Sequence, residues 1–200
     1  YETLSNSSVV SKIVKRTLIL FLLGFLMYWF PFFENGQLKP VNHTRIFGVL
    51  QRIALCYFFA AILLRFFKTK TVVLFSVLAL IGYHVIMVAF GDLSLSGNAV
   101  LQLDTMLIGA DHMYHGDGIA FDPEGLLSTL PAIVNCIAGY WAGVYLQKEG
   151  QNYKTISIFT MIGAALVTLG LSSNLLFPIN KKLWTSSFVL LTIGIDLIIL

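Results

Sequence analysis

Two arginines, Arg45 and Arg52, stand seven residues apart near the start of an apolar run, with Gln51 beside the second. Seven residues are about two helical turns, so this spacing puts both guanidinium groups on one helix face. An arginine inside a membrane span is costly and faces the protein interior with a partner. Two uses fit such a pair. One is an anion clamp, for a phosphate or for a carboxylate. The other is a structural ion pair that locks two helices. For Arg45, nearer the membrane interface, snorkelling of the charged head to water is the plainer expectation.

The carboxylates that could meet these cations are concentrated in one stretch. From Gly91 to Asp122 the chain reads GDLSLSGNAVLQLDTMLIGADHMYHGDGIAFD, with Asp92, Asp104, Asp111, Asp117 and Asp122, Glu124 just beyond, and no Lys or Arg. Asp111, His112, His115 and Asp117 have the composition of a zinc site. The histidines need a fixed helix to converge, however, the glycines indicate a loop, and no HExxH spacing is present. No metal is expected. Acid–base chemistry, substrate contact and plain loop structure all stay open for this segment. Within it, Val100, Leu103, Met106 and Leu107 recur at helical spacing, interrupted by Gln102 and Asp104. The spacing predicts a short helix over 98–108, either interfacial or re-entrant and lining a site, or packed on the surface of the bundle. His84 and Asn135, each alone in an apolar run, read as helix-to-helix hydrogen-bonding residues. Asp196 reads as a relay or as a partner for Arg52, with pairing the plainer of the two. Asn180 and Lys181, just ahead of Trp184, are either an interfacial anchor or contacts for a phosphate-bearing ligand.

The elements that must position these residues follow from composition. Of the 200 residues, 57% are hydrophobic and 12% charged, and the mean hydropathy is +0.82. Soluble domains carry about 45–50% apolar and about 25% charged residues, so this is an integral membrane protein with lipid as its surroundings. The net charge of +3 is small and its basic residues lie at the ends of the apolar runs, which argues against nucleic-acid binding. Cys56 and Cys136 lie inside apolar runs and are expected to be free thiols.

A helix crosses about 30 Å of hydrocarbon with about 20 residues. Runs 13–33, 46–67, 71–90, 124–146, 156–177 and 184–200 meet or approach that length. The expected fold is therefore all-α, a polytopic transmembrane helix bundle with about six spans and one long outer loop over 91–123. The chain starts at Tyr1 and ends at Leu200 inside an apolar run, so residues 1–200 are expected to be part of a longer protein. Lys12, Lys15 and Arg16, then Arg65, Lys68 and Lys70, then Lys148 and Lys154 fall on one side, which the positive-inside rule makes cytoplasmic, with the Tyr1 side. Loop 91–123 then faces the periplasm or a lumen. Lys39, Arg45, Lys181 and Lys182 run against the rule. Trp29, Trp141 and Trp184 are expected at the aromatic belt. Asp122 is expected to cap the span that follows it, with Pro123 as its first helical residue and Glu124 on the positive end of the helix dipole. The polar tail ahead of the first run is not a signal peptide, because that run is too long and lacks a cleavage site.

Several segments together carry a resemblance. They are RIFGVLQRI at 45–53, GADHMY at 109–114, AFDPEGLLST at 120–129 and PINKKLW at 178–184. Their order and spacing resemble the heparan-α-glucosaminide N-acetyltransferase family, including its bacterial relatives. The resemblance implies a multi-span acyltransferase in the bacterial inner membrane. It would move acetyl from cytosolic acetyl-CoA, its co-substrate, to a glucosamine-type amino sugar on the far side. The family's catalytic histidine lies in a His-x-x-Trp-Asn-Gly-like stretch ahead of these motifs. No such stretch is present here, so the role is not transferred to His43, His112 or His115, and no catalytic residue is assigned. On this reading Asp111, His112, Asp122 and Glu124 are candidate contacts for the sugar. Arg45, Gln51, Arg52, Asn180 and Lys181 are candidate contacts for acetyl-CoA. A sugar or organic-anion transporter is the alternative, as is a structural part of the bundle with catalysis elsewhere. Membrane lipid is an expected partner, and a homo-oligomer is left open.

Overall fold

The computed structural model describes residues 5–116 and 118–200. Asp117, one of the candidate metal-type residues, lies outside them. The described chain is almost wholly helical: α1 (Asn6–Trp29), α2 (Val49–Phe66), α3 (Thr69–Ala89), α4 (Ala99–Ile108), α5 (Leu126–Glu149), α6 (Tyr153–Ser173) and α7 (Ser186–Ile199). Each of the six expected spans holds a helix. Four of these, α2, α3, α5 and α6, are long and apolar enough to cross a membrane. In α1 the first turns are polar, with Ser7, Ser8, Lys12, Lys15 and Arg16. Helix α7 covers 14 residues, Ser186–Ile199.

The helix ends differ from the expected ones for local reasons. The first apolar run continues to residue 33, but α1 stops at Trp29. The chain then turns back through a two-stranded hairpin, Phe33–Glu34 on Gln37–Leu38. Asn35 and Gly36 at its tip both have positive φ, as an Asn-Gly hairpin turn requires. The second run begins its helix only at Val49, so Arg45 lies in an extended segment ahead of α2 rather than on its face.

Connections of a few residues join α2 to α3 and α5 to α6, so consecutive helices run antiparallel. The basic clusters therefore share one end of the bundle. There Arg65 Nη2 donates to Asn6 Oδ1 at 3.1 Å, tying the end of α2 to the start of α1. The other end carries segments 30–48, 90–125 and 174–185. Helix α5 is the hub, packed on α2, α3, α4 and α7. Ala60, Val72, Ala132 and Ile137 fill the α2–α3–α5 core, and Ala79, Val134 and Val189 the α3–α5–α7 core. Helices α6 and α7 meet backbone to backbone: a Cβ on Gly163 would lie 2.7 Å from the Gly194 carbonyl oxygen. Leu22, Leu78 and Met161 face outward, as lipid-facing side chains do.

The segment between α3 and α5 packs on the bundle. Asn98 caps α4, its side-chain oxygen accepting from the Leu101 N–H at 2.8 Å. Ala99 and Val100 join Tyr83, Met87, Phe121, Phe177 and Leu183 in a third core at this end. Met106 and Leu107 stay exposed on the opposite face. The helix is thus amphipathic, and its buried face is fixed by α3 and α5.

Candidate active site

The chemistry-bearing residues converge on the turn that enters α5. Arg45 reaches it from the extended segment ahead of α2. Its Nε donates to both carboxylate oxygens of Asp122 at 3.1 and 3.2 Å, and its Nη2 makes a further close contact with Asp122 Oδ1. Nη2 also donates to Glu124 Oε2 at 2.7 Å, and Nη1 to the Tyr28 hydroxyl at 3.2 Å. The rings of Tyr28 and Tyr114 each lie 4.9 Å from the guanidinium carbon. Arg45 therefore does not snorkel: its side chain is 16% exposed and every edge is taken up. The space for this comes partly from Gly48, where a Cβ would collide with the Tyr28 ring.

Burial acts to lower the pKa of Arg45. The hydrogen bond and charge of Asp122, then Tyr28 and Glu124, outweigh it and hold the guanidinium more firmly charged than usual. On Asp122 burial wins and pushes the carboxyl up, with Arg45 pulling it down and Glu124 adding to the rise. The two shifts disagree about the strength of the pair. We take it as ionised at neutral pH, because Arg45 cannot shed its proton and presents a fork to both oxygens.

Arg52, in the first turn of α2, holds the same turn from below. Its Nη2 donates to the Pro123 carbonyl at 2.9 Å and makes a close contact with the Ser128 hydroxyl. Its guanidinium carbon lies 4.6 Å from the centre of the Trp184 ring. Trp184 is half-buried and turned inward, not placed in an aromatic belt, with φ at +52°. Trp184 Nε1 donates to Asn135 Oδ1 at 3.2 Å, and Asn135 Nδ2 to Thr192 Oγ1 at 3.1 Å. Asn135 thus makes the helix-to-helix bonds expected of it. Arg52 is 6% exposed, yet among the described residues its Nε and Nη1 have no partner, and neither do the amide atoms of the neighbouring Gln51. Gln51 points at α1, where only a glycine fits: a Cβ on Gly24 would lie 2.6 Å from its Oε1.

The cap of α5 comes from an unexpected carboxylate. The helix begins at Leu126, not at Pro123, and Asp122 is occupied by Arg45. Asp104 of α4 takes the Leu126 N–H on its Oδ1 at 3.1 Å. It is 0% exposed, and its Oδ2 has no partner. Burial pushes its carboxyl up to about 7; the Leu126 N–H and Arg52 pull down, and Asp122 pushes up. Gly125 is required here because a Cβ would collide with Asp104 Oδ2.

The other candidates lie around this centre. His112 Nδ1 is 2.8 Å from the Thr44 carbonyl oxygen, and the His112 carbonyl accepts from the Ile46 N–H at 3.1 Å, so the 109–114 segment braces the strand that carries Arg45. Asp111 is exposed beside an exposed His43, 3.8 Å away. Asn180 Oδ1 accepts from the Lys182 and Leu183 N–H groups at 2.9 and 3.3 Å, which folds the turn that presents Trp184. Lys181 is exposed on that turn. His84 packs its ring edge on Phe177, 4.3 Å between centres, rather than bonding between helices. Asp196 lies eleven residues beyond Thr185 on α7, roughly 16 Å along its axis, and does not pair with Arg52. Among the described residues no group of three His, Cys, Asp or Glu side chains is placed to hold a metal ion.

No family model matches the chain. Over 92% of its length it is 29% identical to the mouse (Mus musculus) protein heparan-alpha-glucosaminide N-acetyltransferase. It is 33% identical to the human (Homo sapiens) protein of the same name over 110 residues, 47% of this chain and 16% of that protein. The chain is similar to heparan-alpha-glucosaminide N-acetyltransferase. That bears out the resemblance read from the motifs. The chain spans about a third of the mouse acetyltransferase, 36% of its length. All four motif segments quoted for the resemblance meet in one place. Arg45 and Arg52 come from the first, Tyr114 from the second, Asp122, Glu124 and Ser128 from the third, and Trp184 from the fourth.

Tyr28, Asp104, Tyr114, Ser128 and Trp184 were not among the candidate site residues read from the sequence. Asp104 carried a usable signal, a carboxylate interrupting an apolar helical spacing. Tyr28 carried none, since nothing in an apolar run distinguishes a ring stacked on an arginine from one facing lipid.

Proposed function

We propose that this chain forms part of a membrane-embedded acetyltransferase that moves acetyl from acetyl-CoA to a glucosamine-type amino sugar across the bilayer. The observation that carries this reading is the meeting of the resemblance-bearing segments in one buried polar constellation, on a chain similar to two N-acetyltransferases. The basic end is cytoplasmic by the positive-inside rule, and the loop end periplasmic, in a bacterial inner membrane.

A cavity of about 490 Å³ opens at the basic end between α1, α2 and α5. Its walls include Arg16, Arg65, Tyr57 and Tyr140. Arginines at its mouth suit the phosphates of CoA, and its apolar walls suit the pantetheine arm. Arg45, Asp122 and Glu124 are spent on one another and serve as the frame. Gln51 and Arg52 keep unspent polar atoms and face the donor. The surface of exposed Asp111 and Lys181 and half-buried His112 is the acceptor side, where carboxylate charge attracts a protonated amine. No residue of this chain is assigned as the base.

The test is to incubate purified full-length protein with acetyl-labelled acetyl-CoA and glucosamine. Labelled N-acetylglucosamine is the expected product. Folded protein that transfers no label to any amino sugar overturns the reading.

A further inference from the structure

Among the described residues Arg52 feels the charges of Glu124 and Asp122 but makes no direct ion pair. No carboxylate lies within 4 Å of it among the described ion pairs, whereas Arg45 has two. A buried cation without a counter-charge is expensive, and so is each buried N–H left without an acceptor. Arg52 is nevertheless held rigidly. One nitrogen, Nη2, is anchored to the Pro123 carbonyl and the Ser128 hydroxyl, and the flat face lies on Trp184. What remains, Nε and Nη1, is a set of preoriented donors with no acceptor among the described residues.

The position of these donors points to their use. Along α2 the cavity wall runs from Arg65 to Tyr57, eight residues or about 12 Å. Ala60, on the cavity wall, shares one buried face of α2 with Cys56 and Arg52, eight residues or about 12 Å away along the axis. A long, flexible thioester that enters the cavity from the basic end runs along that face toward Arg52. We propose that Arg52 is a catalytic residue of the transfer, whose free N–H groups receive the thioester carbonyl oxygen and the oxyanion that develops on it. This deepens the acetyl-transfer reading and rests on it.

The step balances without a further reactant. The amine lone pair attacks the thioester carbonyl carbon, and the C=O π pair moves onto oxygen, where Arg52 meets the negative charge. Collapse re-forms C=O, breaks the C–S bond and expels CoA thiolate. The proton lost by the amine ends on that sulfur. An Arg52 that is stacked and anchored needs no reorganisation as charge develops, which is the condition for large electrostatic stabilisation.

Two measurements on the full-length protein in nanodiscs test this. In the first, acetyl-CoA with a 13C-labelled thioester carbonyl is bound without sugar, and its infrared band is compared with that of free acetyl-CoA. The band moves to lower wavenumber in the native protein and stays near the free value in Arg52→Gln. A native band at the free position overturns the proposal, as does a shift that Arg52→Gln retains. In the second, steady-state kinetics separate binding from chemistry. Arg52→Gln lowers kcat about 100- to 1,000-fold with KM for acetyl-CoA changed by less than about threefold. A raised KM with unchanged kcat makes Arg52 a ground-state phosphate contact and refutes the oxyanion role. Arg52→Lys, which keeps charge without the planar fork, serves where Arg52→Gln does not fold, and is expected to recover only part of the rate. A native band shift without any acetyl transfer leaves the carbonyl site standing and removes the acetyltransferase reading. Transfer with neither effect does the reverse.

Discussion

Arg45→Ala removes the cation from between two carboxylates and two aromatic rings, and its cost can be worked from the contacts. Asp122 is 1% exposed, so it is left as a buried carboxylate without its cation. Breaking one side of a buried pair costs about 3–5 kcal/mol. Glu124, at 21% exposure, rehydrates and recovers part of this, which places the ionic loss near the lower figure. Loss of the stacks on Tyr28 and Tyr114 adds about 0.5–1 kcal/mol each. The sum is about 4 kcal/mol, or roughly 8–16 °C of thermal midpoint for a chain of this size. Thermal unfolding of detergent-solubilised protein reads it directly. In a double-mutant cycle, Arg45→Ala with Asp122→Ala is expected to cost at least about 2 kcal/mol less than the sum of the two singles, because each single leaves the other charge stranded. A loss under about 1 kcal/mol with no coupling would mean that Arg45 is solvated, as an interfacial arginine would be, and the frame described above would fall.

Arg52→Ala is expected to cut acetyl transfer at least about a hundredfold while His84→Ala, which removes only ring packing on Phe177, leaves it within about twofold; equal losses refute the ranking. Gly125→Ala drives a Cβ into Asp104 and is expected to lower stability by about 1–3 kcal/mol, a loss that Asp104→Ala in the same chain largely relieves. Asp104, with its carboxyl raised to about 7, makes native stability fall as pH rises from the ordinary aspartate range near 4 to about 7, where the unfolded chain ionises and the native one does not. The total is roughly 4 kcal/mol, from about three pKa units at about 1.4 kcal/mol each. Asp104→Asn is expected to abolish this slope, so that the difference between variant and native protein grows through that window. A constant difference from pH 4 to pH 8 contradicts it.

Helix positions were legible because lipid imposes a crude rule, an apolar run of sufficient length, and all six runs hold helices. Their ends were less so. The positive φ of Asn35 and Gly36 ends the first run early, through an Asn-Gly turn that was readable but hidden behind Phe32 and Phe33. Asp122 looked like a cap from its place in Asp-Pro-Glu. A capping carboxylate and an ion-pairing one have the same local sequence, and the choice was made by Arg45, 77 positions away. The actual cap, Asp104, sits on another helix, 22 positions from Leu126. The arginines were found for a partly wrong reason. Their spacing suggested one helix face, yet Arg45 precedes α2, and both reach the same turn because that turn folds between them.

Transfer of acetyl across the membrane can be watched in sealed vesicles. Full-length protein is reconstituted with glucosamine trapped inside, and labelled acetyl-CoA is added to the side that bears the basic end. The account predicts labelled N-acetylglucosamine in the lumen and unlabelled sugar retained there. Label only on sugar supplied beside acetyl-CoA would contradict it. So would escape of glucosamine without acetyl-CoA, the mark of a transporter.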